Sequence, residues 1–217
     1  SDVKSLSCIT DGGGIDKESI KSLFRFRFIH EPRTIFNNFK KLAPGSILKF
    51  NQYGLKITNW YNLNKNKNCF KKNDIKKLKP LIVKAVEKRL ISDVPIGIFL
   101  SGGIDSAIII DSLSQIGKKV PTFTIGFKGE ASYYNESVNA KKIASYYGFK
   151  NETIYLNSKN ILNKMNNILE ASDEPFADSS TIPTYMISNA VKGDIKVALT
   201  GDGGDELFGG YRKYSAY

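Results

Sequence analysis

Along this chain the spacing of apolar residues switches repeatedly between two and three-to-four, which separates strands from helices. Residues 3–10 alternate and predict a strand, and the DGGG at 11–14 closes it with a turn that needs glycine dihedrals. Helical spacing follows from about residue 16 to residue 26. HEPRTIFNNFKKLAPGSILKFNQYGLKITNWYNL, residues 30–63, reads as a proline- and glycine-punctuated loop leading into a hairpin with strands at 46–50 and 55–60. Residues 62–74 are polar, charged and aperiodic, as a linker is. Beyond them Ile75, Leu78, Ile82, Ala85 and Val86 keep helical spacing, and Pro80 must either begin the regular helix or kink it. PIGIFL at 95–100 is a continuous apolar run of strand length. Next come a helix beginning near Asp105, a strand TFTIGF at 122–127, a helix from Asn135 with Val138, Ala144 and Tyr147 on one face, and a strand ETIYL at 152–156. Helical patterns near 158–171 and 181–191 lead to a last strand, IKVALT at 195–200. Alternating strand and helix calls for an α/β fold, a mostly parallel sheet with helices on both faces and ligand sites at the carboxyl ends of its strands. The predicted organisation is a small β-rich segment over 1–62, a linker over 63–74 and an α/β domain over 75–217.

Composition narrows this picture without redirecting it. A chain of 217 residues with 41% hydrophobic content can bury an ordinary core. Its apolar runs fall short of the roughly 20 residues of a membrane span, and its polar start lacks the apolar centre of a signal peptide. A soluble cytoplasmic protein is expected. Cys8 and Cys69 form no C-x-x-C pair, so neither a disulfide framework nor a structural zinc site is suggested. The net charge of +11 is lopsided: residues 1–90 hold 20 Lys and Arg against 7 Asp and Glu, the remainder 12 against 14. Much of the excess lies in NKNKNCFKKNDIKKLK, residues 64–79, which has one aromatic, Phe70, and reads as a solvated linker ahead of a polyanion-binding patch.

Two turns carry candidate chemistry. In FLSGGIDSAIII, residues 99–110, Gly102 and Gly103 let backbone N–H groups approach an anion, and Ser101 and Ser106 add hydroxyls at the start of a helix. That composition suits phosphate, yet the Walker pattern and the dinucleotide G-x-G-x-x-G are both absent. Asp105 fits beside phosphate if a divalent cation bridges the two, and otherwise as a helix cap. TGDGGDELFGGY, residues 200–211, follows a predicted strand and packs five glycines and three acids into twelve residues. Asp202, Asp205 and Glu206 are placed to hold metal, orient a nucleophile or take a proton, the competing reading being a glycine turn with an acid-capped helix. SDEPFADSS at 172–180 is a third acidic cluster, which alone reads as a solvated turn.

In this order, SGGIDS, FTIGF followed by YNES, DEPFADSSTIPTY and GDGGDELFGGY resemble the synthetase domain of glutamine-hydrolysing asparagine synthetases. FRFRFIHEPRTIFNNFKKLAPGSILKF is similar to the end of that family's amino-terminal glutaminase domain, so the resemblance covers essentially the whole chain. It implies a Rossmann-like sheet of the ATP pyrophosphatase (adenine nucleotide alpha hydrolase-like) type. The chain then reads as a fragment, without the glutaminase portion bearing the nucleophilic cysteine and without the helical carboxyl-terminal part of the synthetase domain. The implied reaction adenylates aspartate with ATP, releases pyrophosphate and lets glutamine-derived ammonia displace AMP. By the same resemblance Ser101, Gly102, Gly103, Asp105 and Ser106 cradle pyrophosphate, and Asp105 and Asp173 bind Mg²⁺. Leu100, Ile125, Thr200 and Gly201 line the adenosine. Asp202 and Asp105 are the catalytic acids, Asp202 standing where many members have glutamate. Aspartate, ATP and ammonia are the implied partners, with no nucleic acid and no membrane, and a homodimer is compatible with the full-length protein. Cys8 is expected to be a buried structural thiol within the first strand, and His30, the only histidine, neither ligand nor base. Relatives with similar loops amidate sugars or cyclise peptides. An enzyme that adenylates an RNA base is the alternative from another class, and a non-catalytic nucleotide-binding fragment is a third.

Overall fold

The computed structural model describes residues 2–62, 74–128 and 135–216. Residues 63–73, most of the predicted linker and of the lysine-rich stretch, lie outside them. The chain divides into two compact units, Ser1–Cys69 with Met165–Thr181, and Phe70–Lys164 with Ile182–Tyr217.

In the first unit α1 (Val3–Ser7) stands where alternation predicts a strand. The deciding signal is local: the Asp2 carboxylate accepts the Ser5 N–H at 2.6 Å, an N-cap that starts a helix, and Val3 and Leu6 also fit helical spacing. Cys8 consequently caps the carboxyl end of α1 and is an exposed free thiol, correcting the expectation that it is buried. Helix α2 (Lys17–Phe26) is capped by Asp16, which accepts from Glu18 N–H, and ends in a left-handed Arg27. Strands β1 (Ser46–Asn51) and β2 (Gly54–Asn59) pair antiparallel as predicted. Helix α7 (Met165–Ala171) belongs to this unit too, as part of the segment Met165–Thr181, although the chain before and after that segment belongs to the other.

The second unit is the predicted doubly covered sheet. Helix α3 (Ile75–Lys88) continues through Pro80. Strand β3 (Ile96–Phe99), α4 (Ile104–Ile116), β4 (Thr122–Phe127), α5 (Ser137–Tyr146) and β5 (Asn151–Leu156) follow. After α6 (Ser158–Leu162), α8 (Thr181–Val191) leads to β6 (Val197–Leu199) and a short α9 (Gly204–Phe208). The four strands are parallel in the order β5-β4-β3-β6. Alternate strand residues face opposite sides. Ile98 and Leu100 join Val86, Ile110, Leu113, Ala140, Ala144 and Phe149 in one cluster, which puts α3, α4 and α5 on that face. Phe123 meets Ile187, Val191 and Ile195, with Phe99, Ile125 and Ile154 beside them, which puts α8 on the other. The core face of α5 is Ala140 and Ala144 with Ile143 and Tyr147 at its margin. Val138 is exposed, contrary to the predicted face, because only the small alanines at i and i+4 sit close against the neighbouring elements.

Candidate active site

The connections after β3 and β4 step outward in one direction, whereas β6 lies on the other side of β3. The carboxyl ends of β3 and β6 therefore flank the point where strand order reverses, the place where open α/β sheets bind ligands. Both glycine-rich turns are there.

The first turn begins at Leu100, whose N–H bonds Phe123 C=O at 2.8 Å and whose side chain is buried in the cluster with Ile98. Gly102 has φ +86°, and a Cβ on it would meet Ala140 N and Glu136 O at 3.0 Å, so glycine is needed both for the dihedral and for room beside the start of α5. Gly103 caps α4 with extended backbone. The first backbone bond closing α4 runs from Ala107 N–H to Gly103 C=O at 3.1 Å, leaving the amides of Ile104, Asp105 and Ser106 without intrahelical acceptors. Ser106 is buried and donates to Gly103 C=O at 3.2 Å while accepting Ser101 N–H at 3.3 Å; its Oγ also lies 3.0 Å from Ser101 Oγ. A hydroxyl has one proton, so Ser106 spends it on shaping the loop. The exposed Ser101 accepts Gly103 N–H at 3.2 Å and is then the donor to Ser106 Oγ, a bond its proton would leave to meet a phosphate.

The second turn is packed directly on the first. A Cβ on Gly201 would lie 2.8 Å from Asp105 Cβ and 3.0 Å from Ser106 N, and one on Gly204 would lie 2.5 Å from Asp105 Cγ. Asp105 is thus wedged against backbone that only glycine permits. Thr200 Oγ1 donates to Asp202 Oδ2 at 2.8 Å, and Gly203 takes φ +88° to open α9. The other two acids of this turn are turned back on the chain. Glu206 Oε1 accepts the Tyr211 hydroxyl at 2.6 Å, and Gly210 passes so close to Asp205 that an added Cβ would fall 1.9 Å from its Oδ1. The hydroxyl of Tyr211 holds Glu206 below the ordinary carboxyl range, and the same bond pushes Tyr211 up to about 12. Asp105 and Asp202 also border a cavity of about 260 Å³ whose apolar wall comes from Ile82, Ala85, Ile108 and Phe208, and which Arg89 also lines.

An asparagine synthase family model matches residues 77–217. The chain belongs to the asparagine synthase family. It is 33% identical over 216 residues to asparagine synthetase 1 (glutamine-hydrolyzing) of Bacillus subtilis, covering 99% of this chain and 34% of that one. To asparagine synthetase 3 (glutamine-hydrolyzing) of the same organism it is 26% identical over 212 residues, covering 91% and 34%. The chain thus spans about a third of the length of these curated relatives. Among solved structures it is similar to NMN synthetase from Francisella tularensis at 13% identity and a TM-score of 0.44, covering 64% of this chain and 59% of that one.

Within this chain the structure brings Ser101, Gly102, Gly103, Asp105, Ser106, Thr200, Gly201 and Asp202 together at the two strand ends. Leu100 and Ile125 flank them with side chains on opposite faces of the sheet: that of Leu100 is buried in the core, and Ile125 is half-buried beside the α8 cluster. Asp173 lies in the other compact unit, where its carboxylate accepts the N–H groups of Val3 and Lys4. His30 is exposed, 3.0 Å from Ser22 Oγ and stacked near Phe28. Sequence reasoning missed Gly204 as the residue against the Asp105 carboxylate, and the part of α3 in walling the cavity. The first was legible in the doubled glycine of GDGGD; the second depends on packing between elements far apart in sequence.

Proposed function

We propose that this chain carries the nucleotide-activating part of a glutamine-dependent asparagine synthetase, on a sheet of the ATP pyrophosphatase kind. The aspartate side-chain carboxylate attacks the α-phosphate of ATP, the bond to the bridging oxygen breaks and pyrophosphate leaves, giving β-aspartyl-AMP. Ammonia, supplied from glutamine, then displaces AMP. The leaving group is highly charged, and what stabilises it in this chain is a set of fixed donors: the amides at the start of α4, the close backbone at Gly102 and Gly103, and the Ser101 hydroxyl. Thr200, Gly201, Ile125 and the backbone of Leu100 border the place for the adenosine. Asp202, tethered to Thr200, is the group for proton transfer at the amine.

Asp105 also fits a magnesium ion. Its carboxylate is a hard oxygen donor, and glycine at 201 and 204 adds no side chain against it, which suits an ion bound through one carboxylate, phosphates and water. Mg²⁺ held there would neutralise phosphate charge. A cytoplasmic setting goes with ATP-dependent chemistry, and no helix among the described residues is long and apolar enough to cross a membrane.

The observation that carries this reading is the meeting of both glycine turns on Asp105 at the reversal point of the sheet. The test is pyrophosphate release by the full-length protein given ATP, Mg²⁺ and ammonium, with and without aspartate. Release that requires aspartate and yields AMP and asparagine is expected. Release indifferent to aspartate but driven by a sugar or peptide carboxylate would replace the acceptor, and no release with any carboxylate would remove the reading.

A further inference from the structure

The first backbone N–H groups of any helix need acceptors from outside it. In α1 those acceptors are carboxylates. Asp2 Oδ1 takes Ser5 N–H at 2.6 Å, Asp173 Oδ2 takes Val3 N–H at 2.8 Å, and Asp173 Oδ1 takes Lys4 N–H at 2.9 Å. Asp173 thus caps a helix about 170 positions earlier in the chain, with both of its oxygens. The contacts continue on either side of it. Glu174 accepts Ile35 N–H at 2.6 Å and pairs with the Lys41 ammonium, the Lys4 ammonium reaches Glu170 C=O, and Ala177 N–H bonds Arg27 C=O at 3.0 Å. Val3 and Ile168 are buried within the same unit.

We propose that Asp173 is a tether and not a magnesium ligand: it caps α1 and, with Glu174, builds residues 165–181 into the amino-terminal unit. The electrostatics favour this. Each Asp173 oxygen faces the positive end of an N–H dipole at the start of a helix, an environment that suits an anion and repels a cation. Magnesium demands near-ideal octahedral oxygen geometry, which an oxygen already committed to a backbone donor supplies poorly. The tether has a consequence set by connectivity alone. Residues 165–181 run directly into α8, which packs on the sheet against Phe123 with Phe99, Ile125 and Ile154 beside it. The amino-terminal unit therefore holds one end of a chain segment whose other end supports the nucleotide-binding sheet.

Only the magnesium arm of the test rests on the proposed function. In the full-length protein, D173A, D173N and D105N are compared by hydrogen exchange and by the Mg²⁺ concentration that half-saturates pyrophosphate release. D173A is expected to lower the protection of the Val3 and Lys4 amides by about tenfold or more, since both lose their acceptor. D173N keeps one acceptor oxygen, and its half-saturating Mg²⁺ should stay within about twofold of the parent, while D105N raises it by roughly tenfold or more. A D173N requirement raised as far as that of D105N, or Val3 and Lys4 protection untouched in D173A, overturns the proposal. Should the full-length protein release no pyrophosphate, the proposed function falls while exchange still decides the tether, and Mn²⁺ titration followed by its paramagnetic signal replaces the magnesium arm.

Discussion

At Gly204 a single methyl group separates folding from binding. The atoms it would strike are the far end of the Asp105 side chain, which can rotate away. Gly204→Ala should therefore leave the unfolding midpoint nearly unchanged but weaken ATP·Mg²⁺ binding roughly tenfold or more, the worth of about one charge-assisted hydrogen bond. Calorimetric titration of the full-length protein would measure this. Gly201→Ala differs, because its Cβ would meet the Ser106 backbone at 3.0 Å as well as Asp105 Cβ. Backbone does not yield as a carboxylate does, so a loss of about 1–3 kcal/mol in denaturant unfolding is expected. The Tyr211–Glu206 bond makes a prediction in pH. The bond raises Tyr211 from 10.0 to about 12, with desolvation adding, and lowers Glu206 from 4.5. Stability from the raised phenol is whole below pH 10.0 and is lost as pH rises through about 12. Stability from the lowered carboxyl is present above pH 4.5 and is lost as pH falls through its folded value. The absorbance difference between the parent and Tyr211→Phe should show one phenol ionising near 12; ionisation near 10.0 would contradict the bond.

Helix α4 begins at the first turn and carries Asp105 against the second, and its stability comes from burial. Ile110 and Leu113, three positions apart, are fully buried between α3, α5 and the sheet. Leu113→Ala removes most of a side chain from that cluster and should cost about 2–5 kcal/mol in equilibrium unfolding. Val138→Ala on the exposed side of α5 should stay within about 0.5 kcal/mol. A large effect at Val138 with a small one at Leu113 would reverse the faces assigned to these helices. Strand β4, helix α1 and helix α5 show what periodicity can and cannot decide. TFTIGF is strand from its first residue to its last, because a continuous apolar run fits a strand covered on both faces. The alternation in residues 3–10 misleads, because a short segment lets one capping aspartate outweigh the pattern, and the second capping carboxylate comes from Asp173. For α5, helical spacing alone did not pick out Ala140, whose small size is what suits it to a tight contact.

Across the whole molecule, the β1–β2 hairpin leaves its apolar residues uncovered, with Phe50 77%, Leu55 59% and Ile57 57% exposed, and Trp60, just beyond β2, 66% exposed. Apolar surface of that extent on a two-stranded ribbon promotes association. Residues 1–217 should therefore self-associate as concentration rises, and Phe50→Lys with Ile57→Lys should shift sedimentation toward the monomer; unchanged sedimentation would assign association elsewhere. The sequence alone determined the α/β class, the parallel sheet and both glycine turns, because strand and helix spacing and the dihedral demands of glycine are local properties. It also carried the family, since the motifs lie in contiguous stretches. Only the tertiary structure decided that β6 sits beside β3, which sets Gly201 and Gly204 against Asp105, and that Asp173 is folded onto α1. Both depend on which distant segments pack together, and that choice is made by burial summed over the whole chain.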